Sequence, residues 1–299
     1  MEIDKASCLF EAVMGEQVEN IERCSMGIGN YVFIVFTSSS KYILRCSEEA
    51  GAYNESIYWL TELCNIPIPK IISYGQYAEY EYMVLTYVEG KDIGDIYSEL
   101  TDAEKEQIAK EVMIIQKNVS ELKIDISPKW SWETFVTEML ERAYDLISVN
   151  NYFDVAKVNE LKNIQKEMQT YISSIKAIPY LDDISTKNLL INNGHVSGVI
   201  DIDWMGVGDI LTFIALTKVA LLNMDLDTKY VDYLLNELKP SEEQYQALIF
   251  YCLLFCVDFM GERGTQFLDK IVPINQQIID RLNRIYDEFM GPWVDYKRQ

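Results

Sequence analysis

Hydrophobic and polar positions follow two textures along the chain. As far as about residue 88, apolar residues sit in short β-branched and aromatic blocks or alternate with polar ones. Beyond Glu89-Gly90 they recur every three or four positions. The first texture predicts strands. Tyr31–Phe36 reads Tyr-Val-Phe-Ile-Val-Phe, polar Thr37–Ser40 turns the chain, and Lys41–Cys46 returns as a partner strand. Asn20–Cys24 is a weaker strand candidate before them. A helix is expected from about Glu48 to Cys64, stopped by Pro67 and Pro69, and strands Ile71–Gln76 and Glu81–Tyr87 follow.

The second texture predicts helices. Thr101-Asp102-Ala103-Glu104 reads as an N-cap with an acid three residues on, opening a helix to about Leu122. Trp130–Val149, Ala156–Ile175, Ile210–Asn223, Glu242–Met260 and Ile274–Met290 continue the pattern. One interruption stands out. Asn188–Asn192 and Val196–Ile200 read as two short strands about an Asn-Gly-His turn at 193–195. The expected fold is α+β: an N-terminal antiparallel sheet with one helix over 1–89, then a larger, mostly helical part over 90–299. Ligand sites favour clefts between such parts.

Composition narrows the function. The 299 residues carry 47 acidic and 26 basic side chains, a net charge of -21. So acidic a chain is a poor partner for nucleic acid or an anionic membrane, because binding there rests on Lys and Arg. It would attract a polycation. The single histidine, His195, sits in the hairpin turn, which removes histidine zinc clusters and leaves a Ser/His/Asp triad only that one imidazole. Six cysteines without a two-residue spacing fit a reducing compartment, and Cys252 and Cys256 read as small core hydrophobes. Ile210–Met224, interrupted by Lys218, and Tyr245–Met260, too short to span a bilayer, read as buried helices. With no basic, apolar leader at Met1–Lys5, the expected location is cytoplasmic. There is no P-loop, and Gly206-Val207-Gly208 lacks the third glycine of a dinucleotide fingerprint.

Chemistry gathers around the isolated hairpin. Asp182-Asp183 precedes it, Asn188 opens its first strand, Asp201 closes its second, and Asp209 follows Gly206-Val207-Gly208. A two-stranded ribbon brings its outer ends together, so Asp183, Asn188 and Asp201 are expected to converge. Hard oxygens in such a place suit magnesium alongside substrate phosphates, and a remaining carboxylate can take a hydroxyl proton.

Asp183, Asn188 and Asp201 in this spacing resemble the catalytic loop and metal-binding turn of protein-kinase-like enzymes. The trailing Ile-Asp-x-x-x-x-Gly-x-Gly-Asp is similar to the aminoglycoside phosphotransferase family in particular, and the resemblance covers nearly the whole chain. It implies a two-lobed fold, with an N-terminal lobe that binds nucleotide and a helical lobe that carries the catalytic loop and the acceptor site. It implies Asp183 as catalytic base, Asn188 and Asp201 as ligands of Mg2+, ATP or GTP as co-substrate, and Asp209 as a brace. Gly27 and Gly29, in Met26–Asn30 between two strands, match a phosphate-approaching loop. Arg45 stands where the family has lysine, with Glu55 as its implied partner and Glu48 and Glu49 as rivals. Thr86 and Val88 would hold a purine edge through their backbones. By analogy, Asp258 and Glu262 on a late helix would grip amino groups of the acceptor. Glu138, Glu141 and Asp145 read as a solvated face.

The chain departs from the family where Leu181 replaces a histidine two residues before the base. Leucine keeps the packing and lacks the polar tether. The resulting expectation is an O-phosphotransferase acting on a small, cationic, hydroxylated molecule, binding neither nucleic acid nor membrane. The alternative is a pseudokinase-like module that binds nucleotide or ligand without transfer, motivated by Leu181 and Arg45. A glycosyltransferase reading of Asp201-Ile202-Asp203 would need Asp203 more than Asn188. Asp203 is otherwise an ordinary solvated or hydrogen-bonded acid.

Overall fold

The structure is a computed structural model and describes residues 1–24, 31–63, 65–125, 127, 130–203, 205–267 and 270–296. In chain order its elements are α1 (Ile3–Met14), β1 (Asn20–Arg23), β2 (Tyr31–Phe36), β3 (Lys41–Ser47), α2 (Asn54–Glu62), β4 (Ile71–Tyr77) and β5 (Tyr80–Thr86). Next come β6 (Lys91–Asp92), α3 (Ile93–Ile96), a 3-10 turn at Tyr97–Glu99, α4 (Asp102–Ser120), α5 (Trp132–Asn150), α6 (Ala156–Glu167) and α7 (Gln169–Ser174). The remainder is β7 (Pro179–Tyr180), β8 (Leu189–Asn192), β9 (His195–Val199), β10 (Gly206–Val207), α8 (Leu211–Asn223), α9 (Lys229–Leu238), α10 (Glu242–Glu262), β11 (Gln266–Phe267), β12 (Lys270–Ile271) and α11 (Gln276–Tyr296).

The chain divides into two compact units. One is Met1–Lys91 with Leu189–Trp204, the other Asp92–Asn188 with Met205–Gln299. The first break falls two residues after the expected join, and the β8–β9 hairpin groups with the N-terminal unit rather than with the helices. In that unit five antiparallel strands lie in the order β1-β2-β3-β5-β4. Alternation along β3 sends Leu44 and Cys46 to one face, where they meet Leu9 and Phe10 of α1. Arg45 therefore faces the other side, where Tyr53, Met83 and Leu85 pack with Ile57 and Leu60 of α2. The helix α1 lies outside the expected elements: Ile3, Ala6, Phe10 and Val13 have helical spacing, and Ala6, Leu9 and Phe10 are buried. The helix expected from Glu48 begins only at Asn54, because Gly51 adopts a left-handed φ of 79° and donates its N–H to Glu81 Oε1 at 2.6 Å.

In the helical unit α10 is the central member, packed by α5, α8 and α11. Long and apolar enough by composition to cross a membrane, α10 is 67% buried over its apolar window, as a core helix would be. The Thr101/Glu104 capping box is present, with Thr101 N–H donating to Glu104 Oε2 at 2.8 Å. The run expected as one helix over 156–175 divides at Met168, whose ψ of 9° leaves helical geometry. A further helix, α9, lies outside the periodic segments expected. The β7–β10 pair sets Tyr180 opposite Gly206, and β7 leads directly into Asp182 and Asp183.

Candidate active site

The loop from Leu181 to Asn188 leaves β7 with its apolar residues buried and its first candidate base exposed. Leu181, Ile184, Ser185 and Thr186 are buried, while Asp183 faces solvent. Asn188 turns back on the loop: its Nδ2 donates to Asp183 Oδ2 and to the Asp183 carbonyl, each at 3.0 Å. With both amide hydrogens committed, the group Asn188 offers elsewhere is its Oδ1, a hard oxygen. Its φ of 65° lies in the left-handed region, which Asn and Asp tolerate better than other side chains.

Other side chains and backbone groups hold the loop without using charge on Asp183. Buried Gln116 of α4 bonds the Leu181 backbone, Nε2 donating to its carbonyl at 2.7 Å and Oε1 accepting its N–H at 2.9 Å. Gly94 donates its N–H to the Thr186 carbonyl at 2.9 Å. A Cβ on Gly94 would lie 2.6 Å from that same oxygen, so glycine is what permits the approach. Asp92 accepts the Asn188 backbone N–H; burial pushes its carboxyl up, and that bond opposes the shift. Burial likewise pushes Asp182 up to about 6.

Asp209 is embedded in the same unit. It accepts Tyr171 OH at 2.8 Å, Tyr251 OH at 3.1 Å and the Leu211 N–H at 3.1 Å, and Trp132 Nε1 donates to Tyr251 OH at 2.8 Å. One buried carboxylate thus ties α5, α7, α8 and α10 together. Beside it Gly208 has a φ of 143°, and a Cβ there would fall 2.1 Å from the Trp132 ring.

Asp201 belongs to the other unit, where it closes the hairpin strand in a left-handed φ of 59°. Its carboxyl is pushed up by desolvation and by the neighbouring charge of Asp203, with Arg45 opposing. Arg45 is paired with Asp203 and not with the expected Glu55. Glu55 sits exposed in the first turn of α2. Asp203, 158 residues away in sequence, takes the guanidinium, Nη1 to Oδ1 and Nη2 to Oδ2, both at 2.7 Å. Ser56, one residue past Glu55, donates to Asp203 Oδ1 at 2.6 Å. Although burial opposes it, Arg45 with Ser56 holds Asp203 below the usual carboxylate range. Arg45 Nε and the hydroxyl of Tyr53, whose ring lies 5.3 Å from the guanidinium, are buried without partners. No local pattern announces a bond between residues so far apart; the alternation of β3, which turns Arg45 toward α2, was the available hint.

Thr86 donates its N–H to the Lys70 carbonyl at 2.9 Å, so its carbonyl is the backbone group it could lend a base. Val88 packs against the backbone at Gly198. Gly27 and Gly29 lie outside the described residues. Asp258 is buried and bound by Arg142 Nη2 at 2.5 Å; burial pushes its carboxyl up and Arg142 opposes. Glu262 is raised by burial and by Asp258, with Arg142 and Arg263 opposing. These two acids therefore share their corner with two cations. Glu138, Glu141 and Asp145 are exposed, and His195 sits exposed beside the turn whose Asn193 and Gly194 have φ of 51° and 76°.

Magnesium binds through one or two protein oxygens, with phosphates and water completing its octahedron. Each unit carries one oxygen donor of that kind: a carboxylate at Asp201 in the first and a carboxamide oxygen at Asn188 in the second. Among the described residues no group of three or more His, Cys, Asp or Glu is placed to hold a metal ion, so an all-protein cage is not what these residues build.

Compared with known families, the chain matches the phosphotransferase enzyme family over residues 20–248. A search of curated proteins finds no match. Solved structures of similar fold include a thermostable mutant of aminoglycoside phosphotransferase APH(4)-Ia in ternary complex with ADP and hygromycin B, at TM-score 0.62 and 15% identity, covering 96% of this chain and 95% of that one. Aminoglycoside phosphotransferase APH(2'')-Ib bound to ADP has TM-score 0.63 and 13% identity, covering 96% and 97%. Spectinomycin phosphotransferase APH(9)-Ia, with ADP and its antibiotic, has TM-score 0.60 and 16% identity, covering 96% and 94%. At these identities the likeness carries the fold, a protein-kinase-like one with an N-terminal antiparallel sheet and a larger helical part.

Proposed function

Because the chain belongs to the phosphotransferase enzyme family, we propose that it moves the γ-phosphate of ATP or GTP to a hydroxyl of a small molecule, with Asp183 as the base. The observation that carries this reading is the Asp183–Asn188 pair. An exposed carboxylate is held by a neutral amide at 3.0 Å, which sets the orientation in which it would meet an incoming hydroxyl. Asn188 and Asp201 are the residues that would hold Mg2+, which, when bound, neutralises charge on the transferring phosphoryl group. Asn188 thus has two duties, its amide on the base and its oxygen toward the ion. Holding Asp183 in place removes the orientational part of the barrier, and proton acceptance adds a further part.

The expectation of a cationic acceptor rests on the net charge of -21 and on Asp258 and Glu262. With Arg142 bound to Asp258, that pair supplies less net negative charge than its composition suggests. A small hydroxylated acceptor, cationic or not, is the reading we carry forward. The test is magnesium-dependent nucleotide consumption across a panel of aminoglycosides, sugars and amino alcohols, with Asp183→Ala as the control. Transfer to a panel member that collapses in Asp183→Ala is expected; unchanged turnover in that variant overturns the assignment.

One observation favours a second reading, nucleotide binding without transfer: both outer nitrogens of Arg45 are already engaged by Asp203. That reading predicts tight nucleotide binding, no phosphoryl transfer to any acceptor, and indifference to magnesium.

A further inference from the structure

Leu181 carries nothing polar in its side chain, yet both polar groups of its backbone are bonded by one buried side chain. Gln116 is fully buried, and both halves of its amide meet the single residue Leu181, at 2.7 and 2.9 Å. A backbone N–H can only donate and a carbonyl can only accept, so these partners fix which way the amide points. The two bonds reproduce what an adjacent antiparallel strand gives one residue, here supplied by a helix side chain 65 positions earlier. The mount itself is anchored. Buried Lys105, nearer the start of α4, pairs with Asp227 at 2.9 Å, and its ammonium lies 4.0 Å from the Tyr97 ring. On the far side of the loop Gly94 and Asp92 hold Thr186 and Asn188. Asp183 therefore lies between two backbone clamps.

We propose that Gln116 is a positioning residue for Asp183, its buried amide fixing the backbone two residues ahead so that the carboxylate is set before substrate arrives. The inference rests on the reading of Asp183 as the base. It assigns to α4 the tether that Leu181 lacks.

Two variants of the full chain test it. Gln116→Met keeps the length of the side chain and loses both bonds. Gln116→Asn keeps the amide and withdraws it by one methylene. Each is measured for folding, for amide hydrogen exchange over 179–186, and for kcat and nucleotide KM in magnesium-dependent consumption of ATP, with water or a panel member as acceptor. Expected are folded variants whose exchange at Leu181 quickens about tenfold or more. Their kcat falls about ten- to a hundredfold, with nucleotide KM held within about twofold. Unchanged exchange, wild-type kcat in a folded variant, or a loss confined to KM overturns the proposal. Should Gln116→Met fail to fold, Gln116→Asn carries the same comparison. Asp183→Ala alongside separates two failures: wild-type turnover there removes the base assignment, whereas an inactive Asp183→Ala beside a fully active Gln116→Met removes Gln116 alone.

Discussion

Asp183 and Asp203 are the same residue type under opposite treatment, one in each unit. Asp183 is exposed, is met by the neutral amide of Asn188, and sits on a backbone held by other neutral groups. Asp203 is half-buried, and both its oxygens are taken by Arg45, with Ser56 adding a third bond. A carboxylate that locks an arginine has both oxygens committed to one buried cation, whereas one that is exposed and oriented by a neutral amide still meets solvent. Asp209, bonded by Tyr171, Tyr251 and the Leu211 N–H, and Asp258, bonded by Arg142, are likewise buried carboxylates committed to holding elements together.

The largest effect expected from breaking this contrast is at the locked pair. Asp203→Leu leaves a buried guanidinium without its counter-charge and should destabilise the protein by about 3–5 kcal/mol. Urea or guanidinium unfolding measures it, and Arg45→Met added to Asp203→Leu should restore most of the loss. A double variant as unstable as the single one would mean that the pair is not a closed unit. Next comes Asp182, whose folded carboxyl is raised to about 6 by burial. A raised acid stabilises the fold below its unfolded value near 3.8 and loses that contribution as pH climbs through about 6. The variant Asp182→Asn should therefore gain about 2 kcal/mol on wild type between pH 4 and pH 7. Melting across that range is the measurement, and a pH-independent difference contradicts the burial. Smaller again, Asn188→Ala removes the amide bonded to Asp183 and the oxygen proposed for Mg2+, so kcat should fall at least about tenfold, roughly 1.4 kcal/mol, with little change in stability. Thr101→Ala breaks only the capping box of α4 and should cost about 1 kcal/mol.

Much of the fold is written locally. The β-branched blocks become β2 and β3, the Asn193-Gly194 turn becomes the β8–β9 hairpin, and the Thr101/Glu104 signature opens α4. The loop acids were also legible, because Asp183 and Asn188 are five residues apart and their bond is local. What the sequence hid is long-range. The ties Arg45–Asp203, Gln116–Leu181 and Arg142–Asp258 span 158, 65 and 116 residues. Each depends on which face of an element a side chain occupies after folding, and periodicity gives the face without the partner. The helix α1 has helical spacing too, but its N-cap Glu2 makes no side-chain capping bond, so no local start signal marks it.

The central claim is that Asp183 takes the hydroxyl proton during phosphoryl transfer. Single-turnover transfer of the γ-phosphate at saturating nucleotide and magnesium, compared between wild type and Asp183→Asn, tests it most directly. The account predicts equal nucleotide binding in the two proteins and a transfer rate lower by about 10^3 in the variant. Equal transfer rates would contradict it.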